Sequence, residues 1–139
     1  MPIVFRIHRD LRLVWAEASG TIMAEDLFEY QRAAWTQPDV QGYDELVDMT
    51  AVVDIPAPSP AGMRALATLA ATMDPPAGRS KFAIVAADDL VYGLGRMYQT
   101  HRGLIGSSGK EIAIFRTLRG ALDWLGISKP LTPDSVGPA

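Results

Sequence analysis

Phe82-Ala83-Ile84-Val85-Ala86-Ala87-Asp88-Asp89-Leu90 decides the architecture of this chain. Its first part, without a charge or a turn former, suits a strand buried on both faces. Asp88 then stands where a helix N-cap belongs, and Leu90, Leu94, Met97 and Tyr98 recur at helical spacing up to about His101. A buried strand that feeds a helix through an Asp cap is a β–α unit, and the flanking sequence reads as more of the same.

Upstream, Ser59-Pro60 reads as an N-cap and first helical position. The helix runs through Met63, Leu66, Ala67, Leu69, Ala70 and Met73 until Asp74-Pro75-Pro76-Ala77-Gly78 stops it. Leu46–Met49 is the strand before it. Ala24 to about Thr36 is a helix with Glu25 and Asp26 in its first turn, where negative charge suits the dipole, and Pro38 ends it. Ile3–His8 and Leu11–Ser19 alternate with a period of two around Arg9-Asp10, which predicts an antiparallel hairpin. In the second strand Leu11, Leu13 and Trp15 fall on one face and Arg12, Val14 and Ala16 on the other. Downstream, 103–109 is a loop and Ile112–Phe115 a strand. Thr117 caps a last helix through Leu118, Leu122, Trp124 and Leu125, with Gly126 in the terminating position. From 128 onward periodicity is lost, so the reading is one domain over 1–127 and a flexible tail over 128–139. The class is α/β: a mixed sheet of about five strands opened by a hairpin, with about four helices packed on it.

Composition narrows the function. The 139 residues are 48% hydrophobic and 21% charged, with net charge −3 and no cysteine. Without cysteine there is no disulfide, thiolate metal site, iron–sulfur cluster or cysteine nucleophile. A sequence pI near 5.3 argues against nucleic acid, whose phosphates call for clustered Lys and Arg. No apolar run approaches the ~20 residues of a membrane span, and Met1-Pro2-Ile3-Val4-Phe5-Arg6 lacks a signal pattern, so the expectation is a cytoplasmic protein.

Familiar motifs fail on inspection. Gly93-Leu94-Gly95 would need its third glycine at Tyr98, and it lies inside a helix instead of a strand-to-helix turn. Gly109-Lys110 is followed by Glu111 where a phosphate loop needs Ser or Thr, and then by a strand where that loop needs a helix. His8 and His101 have no partner at ligand spacing, so no metal site is expected, and no Gly-x-Ser-x-Gly elbow supports a serine nucleophile. No catalytic residue and no cofactor are nominated. Of the carboxylates Asp44, Glu45, Asp48 and Asp54, the last two fall toward the carboxyl end of the strand, where open α/β sheets bind ligands. Tyr92, Arg96 and Gln99 share one side of the helix that follows Asp88, with Tyr98 at the margin of its apolar face. Two glycines in that helix weaken it by roughly 1–2 kcal/mol against alanine. Close approach to a sheet, a second subunit or a ligand would compensate.

The element order, together with Leu46-Val47-Asp48-Met49-Thr50, the stretch Leu90–Gln99 and Phe115-Arg116-Thr117 leading into Ala121–Gly126, resembles the bacterial SpoIIAA-like STAS/SEC14-type domains over residues 3–127. The resemblance implies a STAS-like sheet backed by helices and a regulatory or protein-interaction role without catalysis. In the anti-sigma-factor antagonists of that family a Ser or Thr after the third strand is phosphorylated, which changes partner affinity. Here that register falls on Ala57 or Pro58, and Ser59 beside them is already explained as a cap. The SEC14-like relatives imply the alternative, a carrier or sensor of a small apolar ligand, for which Trp15, Phe28, Trp35, Met63, Met73 and Met97 supply adaptable apolar side chains. The expected surface comprises Asp54, Ser59, Tyr92, Arg96, Tyr98 and Gln99. The expected partners are a protein, a second copy in a homodimer, or a small apolar molecule.

Overall fold

The computed structural model describes residues 2–56, 59–75, 78–105 and 109–127. The elements are β1 (Ile3–His8), β2 (Leu13–Thr21), α1 (Ala24–Trp35), β3 (Asp44–Asp54), α2 (Pro60–Met73), β4 (Ser80–Val85), α3 (Asp89–Ile105), β5 (Lys110–Phe115) and α4 (Leu118–Leu125). The strands lie in the order β1-β2-β3-β4-β5. β1 and β2 form the antiparallel hairpin, with Phe5 opposite Ala16, and every later neighbour is parallel.

Helices cover both faces. α1, α2 and α3 bury Tyr30, Ala34, Trp35, Ala67, Ala70, Val91, Leu94 and Tyr98 against Val14, Ala16, Val47, Phe82 and Ile84. On the other face α4 sets Ala121 and Leu122 against Leu13, Trp15, Leu46, Ala83 and Val85. Both faces of β2 are covered, since Val14 and Ala16 on one side are as fully buried as Leu13 on the other. The strand begins at Leu13 because residues 9–12 form the hairpin loop, with Leu11 N–H donating to the His8 carbonyl at 3.2 Å and Arg12 at φ +50°.

Local chemistry sets the helix ends. Ser59 Oγ accepts from Gly62 N–H at 3.0 Å, and Thr117 Oγ1 from Gly120 N–H at 3.1 Å. Asp88 accepts from the N–H groups of Leu90 and Val91 at 3.0 and 3.2 Å. Gly126 ends α4 at φ +81°, a left-handed conformation that glycine adopts without a Cβ penalty. β3 runs to Asp54 instead of stopping at Met49, since β2 continues beside it to Thr21. α3 reaches Ile105, past the expected end near His101 and into the segment read as a loop. The tail at 128–139 lies outside the described residues, as do Ala57 and Pro58, where the family's phosphorylation position would fall.

Candidate functional site

The sequence pointed to the carboxyl ends of the strands, but the structure collects its buried charge at their amino ends. Glu45 is the second residue of β3 and Lys110 the first of β5, and β4 runs between them. Lys110 Nζ lies 3.2 Å from Glu45 Oε1, with side chains 5% and 3% exposed. The other carboxylate oxygen, Oε2, accepts from the Tyr30 hydroxyl at 2.7 Å and from Trp35 Nε1–H at 3.3 Å, both on α1. The ammonium also stands 3.9 Å from the centre of the Trp35 ring, a cation–π contact that is strengthened where water is excluded.

Helix ends extend the network. Asp74, the C-cap of α2, is 3.8 Å from Lys110 Nζ and pairs with the Arg102 guanidinium of α3. Arg102 Nη1 donates in turn to the Tyr98 hydroxyl at 3.0 Å. The four charges balance, which satisfies the rule that buried ions be paired and hydrogen-bonded. Burial raises the Tyr98 phenol to about 12 against the opposing pull of Arg102. Burial and the adjacent Glu45 carboxylate raise Tyr30 well above the usual value near 10. Burial opposes the charge on Arg102, but Tyr98 and Asp74 more than offset it and its pKa is raised.

This network closes one end of an apolar cavity of about 80 Å³ between the sheet and the three helices. Tyr30, Glu45 and Tyr98 line it at the polar end, while Val47, Met49, Leu66, Ile84, Val91 and Leu94 make much of the rest. Met63 of α2 and Leu27 of α1 complete the side away from the sheet. Among the described residues no group of His, Cys, Asp or Glu is placed to hold a metal ion.

The residues expected to form a partner surface are not brought together. Ser59 is exposed with its hydroxyl engaged in capping, and Asp54 ends β3, its carbonyl accepting from Ile22 N–H at 3.0 Å. Tyr98 faces the core and cavity instead of solvent. Tyr92 is half-buried beneath the Arg116 guanidinium, 4.0 Å from its ring centre. Gln99 Nε2–H donates to the Ile112 carbonyl of β5 at 2.6 Å. Of that stripe Arg96 alone is exposed. Gln99 therefore ties α3 to β5, and Gly95 shows why the helix tolerates glycine. A Cβ there would stand 3.2 Å from Ile114 Cδ1, so the close approach to the sheet occurs at this residue. Glu45 stands in the acidic run around β3, within which strand-end position favours Asp48 and Asp54. Its signal was a carboxylate between Tyr43 and the apolar pair Leu46-Val47.

No family model matches the chain, and no curated protein matches it. Among solved structures it is similar to an uncharacterised protein of the DUF3478 family with a SpoIIAA-like fold, from Shewanella loihica PV-4. The two share 19% identity and a TM-score of 0.54, over 88% of this chain and 93% of that one. With one antiparallel hairpin, parallel strands to β5 and helices on both faces, the chain has the SpoIIAA-like fold.

Proposed function

We propose that the chain is a non-enzymatic binding module of the STAS-like type that senses or carries a small apolar ligand in the cavity beneath α1, α2 and α3. The observation that carries this reading is the cavity itself, an apolar space ended by a charge network already satisfied from within. Dense packing is the norm for protein interiors, and an apolar void forfeits contacts its lining would otherwise make. A ligand restores them. At about 80 Å³ the cavity exceeds one water but falls short of the roughly 300 Å³ of a drug-sized pocket. A larger guest needs the flexible side chains of Met49 and Met63 to move.

The chemistry at the polar end favours binding over catalysis. Tyr98, at about 12, and Tyr30, higher than usual, stay protonated at neutral pH. General acids and bases work best with pKa values near the operating pH. The surface expected for a protein partner is for the most part engaged in internal contacts, which moves the ligand reading ahead of the partner reading.

Native mass spectrometry of freshly purified protein tests this, paired with melting curves in the presence of benzene, hexanol or decanoic acid. A bound mass lost on denaturation, or a melting temperature that climbs with ligand concentration, is the expected result. Val91→Phe, which fills the cavity, should remove that climb. If the native mass equals that of the bare chain and none of the three compounds moves the melt, the proposal fails.

A further inference from the structure

We propose that two copies of this chain pair edge to edge through β1, antiparallel about a two-fold axis at Phe5, with their α1 helices side by side. This is independent of the cavity and rests on the outer edge of β1, along which no described strand runs.

Backbone geometry gives the first argument. Pro2 carbonyl accepts from Ser19 N–H at 2.9 Å, and the register sets Val4 opposite Glu17 and Arg6 opposite Trp15. Bonded and non-bonded pairs alternate along an antiparallel ladder, so Val4 and Arg6 bond to β2. Ile3, Phe5 and Ile7 therefore direct their N–H and C=O groups away from the sheet, and no described strand pairs with them. An open edge of this kind is a template for another strand. The opposite edge differs, because Gln99 of α3 occupies the Ile112 carbonyl of β5.

The register that follows is self-complementary. Centred on Phe5, the pairing puts Phe5 against its own copy and Ile3 against Ile7, each pair exchanging two backbone hydrogen bonds. On the other face Arg6 meets Val4, so no like charges are opposed. Phe5 and Ile3 also floor a groove of about 540 Å³ beside α1, walled by Asp26, Glu29, Arg32 and Ala33. The helix carries its acids toward one end and Arg32 toward the other. A two-fold axis reverses the second helix, so the acidic half of one copy's α1 faces the end of the other that carries Arg32. The Asp26 carboxylate already accepts from Met23 N–H at 2.8 Å, which leaves Glu29 for that guanidinium. Such a pattern selects a second copy over an arbitrary extended peptide.

Sedimentation velocity of the full chain over about 1 to 100 µM tests this, since dimer population follows protomer concentration. A reversible dimer is expected. Arg32→Glu should weaken it about tenfold or more, and adding Glu29→Arg should recover part of the loss. Phe5→Pro should also abolish pairing, because that N–H points outward and contributes nothing to the β2 ladder. Circular dichroism establishes that each variant is folded, and Arg32→Glu alone decides the matter if Phe5→Pro is not. Amide exchange at Phe5 and Ile7 should slow as dimer forms. A chain monomeric across the range, or a dimer that leaves these amides and Arg32→Glu unaffected, overturns the proposal.

Discussion

Lys110 reaches over β4 to Glu45, and the two strands at either side of that reach are joined by an ion pair of 3.2 Å within a nearly dry interior. The lysine stem crosses near Phe82, whose ring centre is 5.8 Å from the ammonium, and its head lies over Trp35. Removing one partner leaves the other buried without its counter-charge, which typically costs about 3–5 kcal/mol. Lys110→Met should therefore lower unfolding free energy by about that much in a urea titration. Glu45→Gln together with Lys110→Met removes both charges and should be markedly less damaging than the lysine change alone. Equal losses in the single and double variants would show that the pair is not a coupled unit.

The buried phenols predict an alkaline weakness. Tyr98 titrates at about 12 in the folded protein and near 10 once unfolded, with burial as the main cause. Between those values the unfolded chain releases a proton that the native chain keeps. The unfolded state then binds fewer protons, so stability falls as pH rises. The contribution is fully present below pH 10 and is lost toward pH 12, to the extent of roughly 2–3 kcal/mol. Tyr30 acts in the same direction. Tyr98→Phe should flatten the decline in stability measured across that window, and an unchanged slope would contradict it.

How far the sequence reveals the fold depends on whether each signal is local. Asp88, Ser59, Thr117 and Gly126 announce helix ends through bonds to residues within a turn, and each is found in that role or position. The apolar run at Phe82 foretold a strand covered on both faces, and Ala83, Ile84 and Val85 are so covered. The charge network is a different matter. Glu45, Asp74, Arg102 and Lys110 come from four separate elements, and periodicity carries no information on which strand starts meet which helix ends. Gly109-Lys110 illustrates the point. It fails as a phosphate motif, yet both residues are structural: the lysine closes the network and the glycine lies against Gly78. The stripe on α3 is partly legible for a related reason. Helical spacing groups Tyr92 with Gln99 on one side, but nothing local says that Gln99 reaches the Ile112 carbonyl of β5.

Two glycines make a controlled comparison of what packing demands. A Cβ on Gly109 would stand 1.9 Å from the Gly78 carbonyl oxygen, and backbone has no rotamer with which to yield. Gly109→Ala should force apart the start of β5 and the approach to β4, and overpacking of this sort costs roughly 1–3 kcal/mol or more. Gly93 in α3 is exposed and a Cβ there meets nothing within 4 Å. Gly93→Ala should instead stabilise by about 0.8–1 kcal/mol through helix propensity alone. Thermal melts of the two variants should move in opposite directions.

Gln99 holds the edge of the sheet that the dimer proposal leaves unused. Its amide donates to the Ile112 carbonyl at 2.6 Å, tying α3 to β5 while occupying an acceptor on an edge strand. A hydrogen bond of this kind contributes a net ~0.5–1.5 kcal/mol, so Gln99→Ala should reduce stability modestly. The larger consequence is exposure of an unpaired edge, the usual starting point for unwanted strand pairing. Gln99→Ala should therefore aggregate faster than the parent at equal fractions folded, as followed by light scattering. Gln99→Glu supplies the control, since it cannot donate to the carbonyl but places a charge at the edge, which opposes pairing. It should lose stability as the alanine variant does without gaining its aggregation. If both variants aggregate alike, lost stability and not the opened edge is responsible.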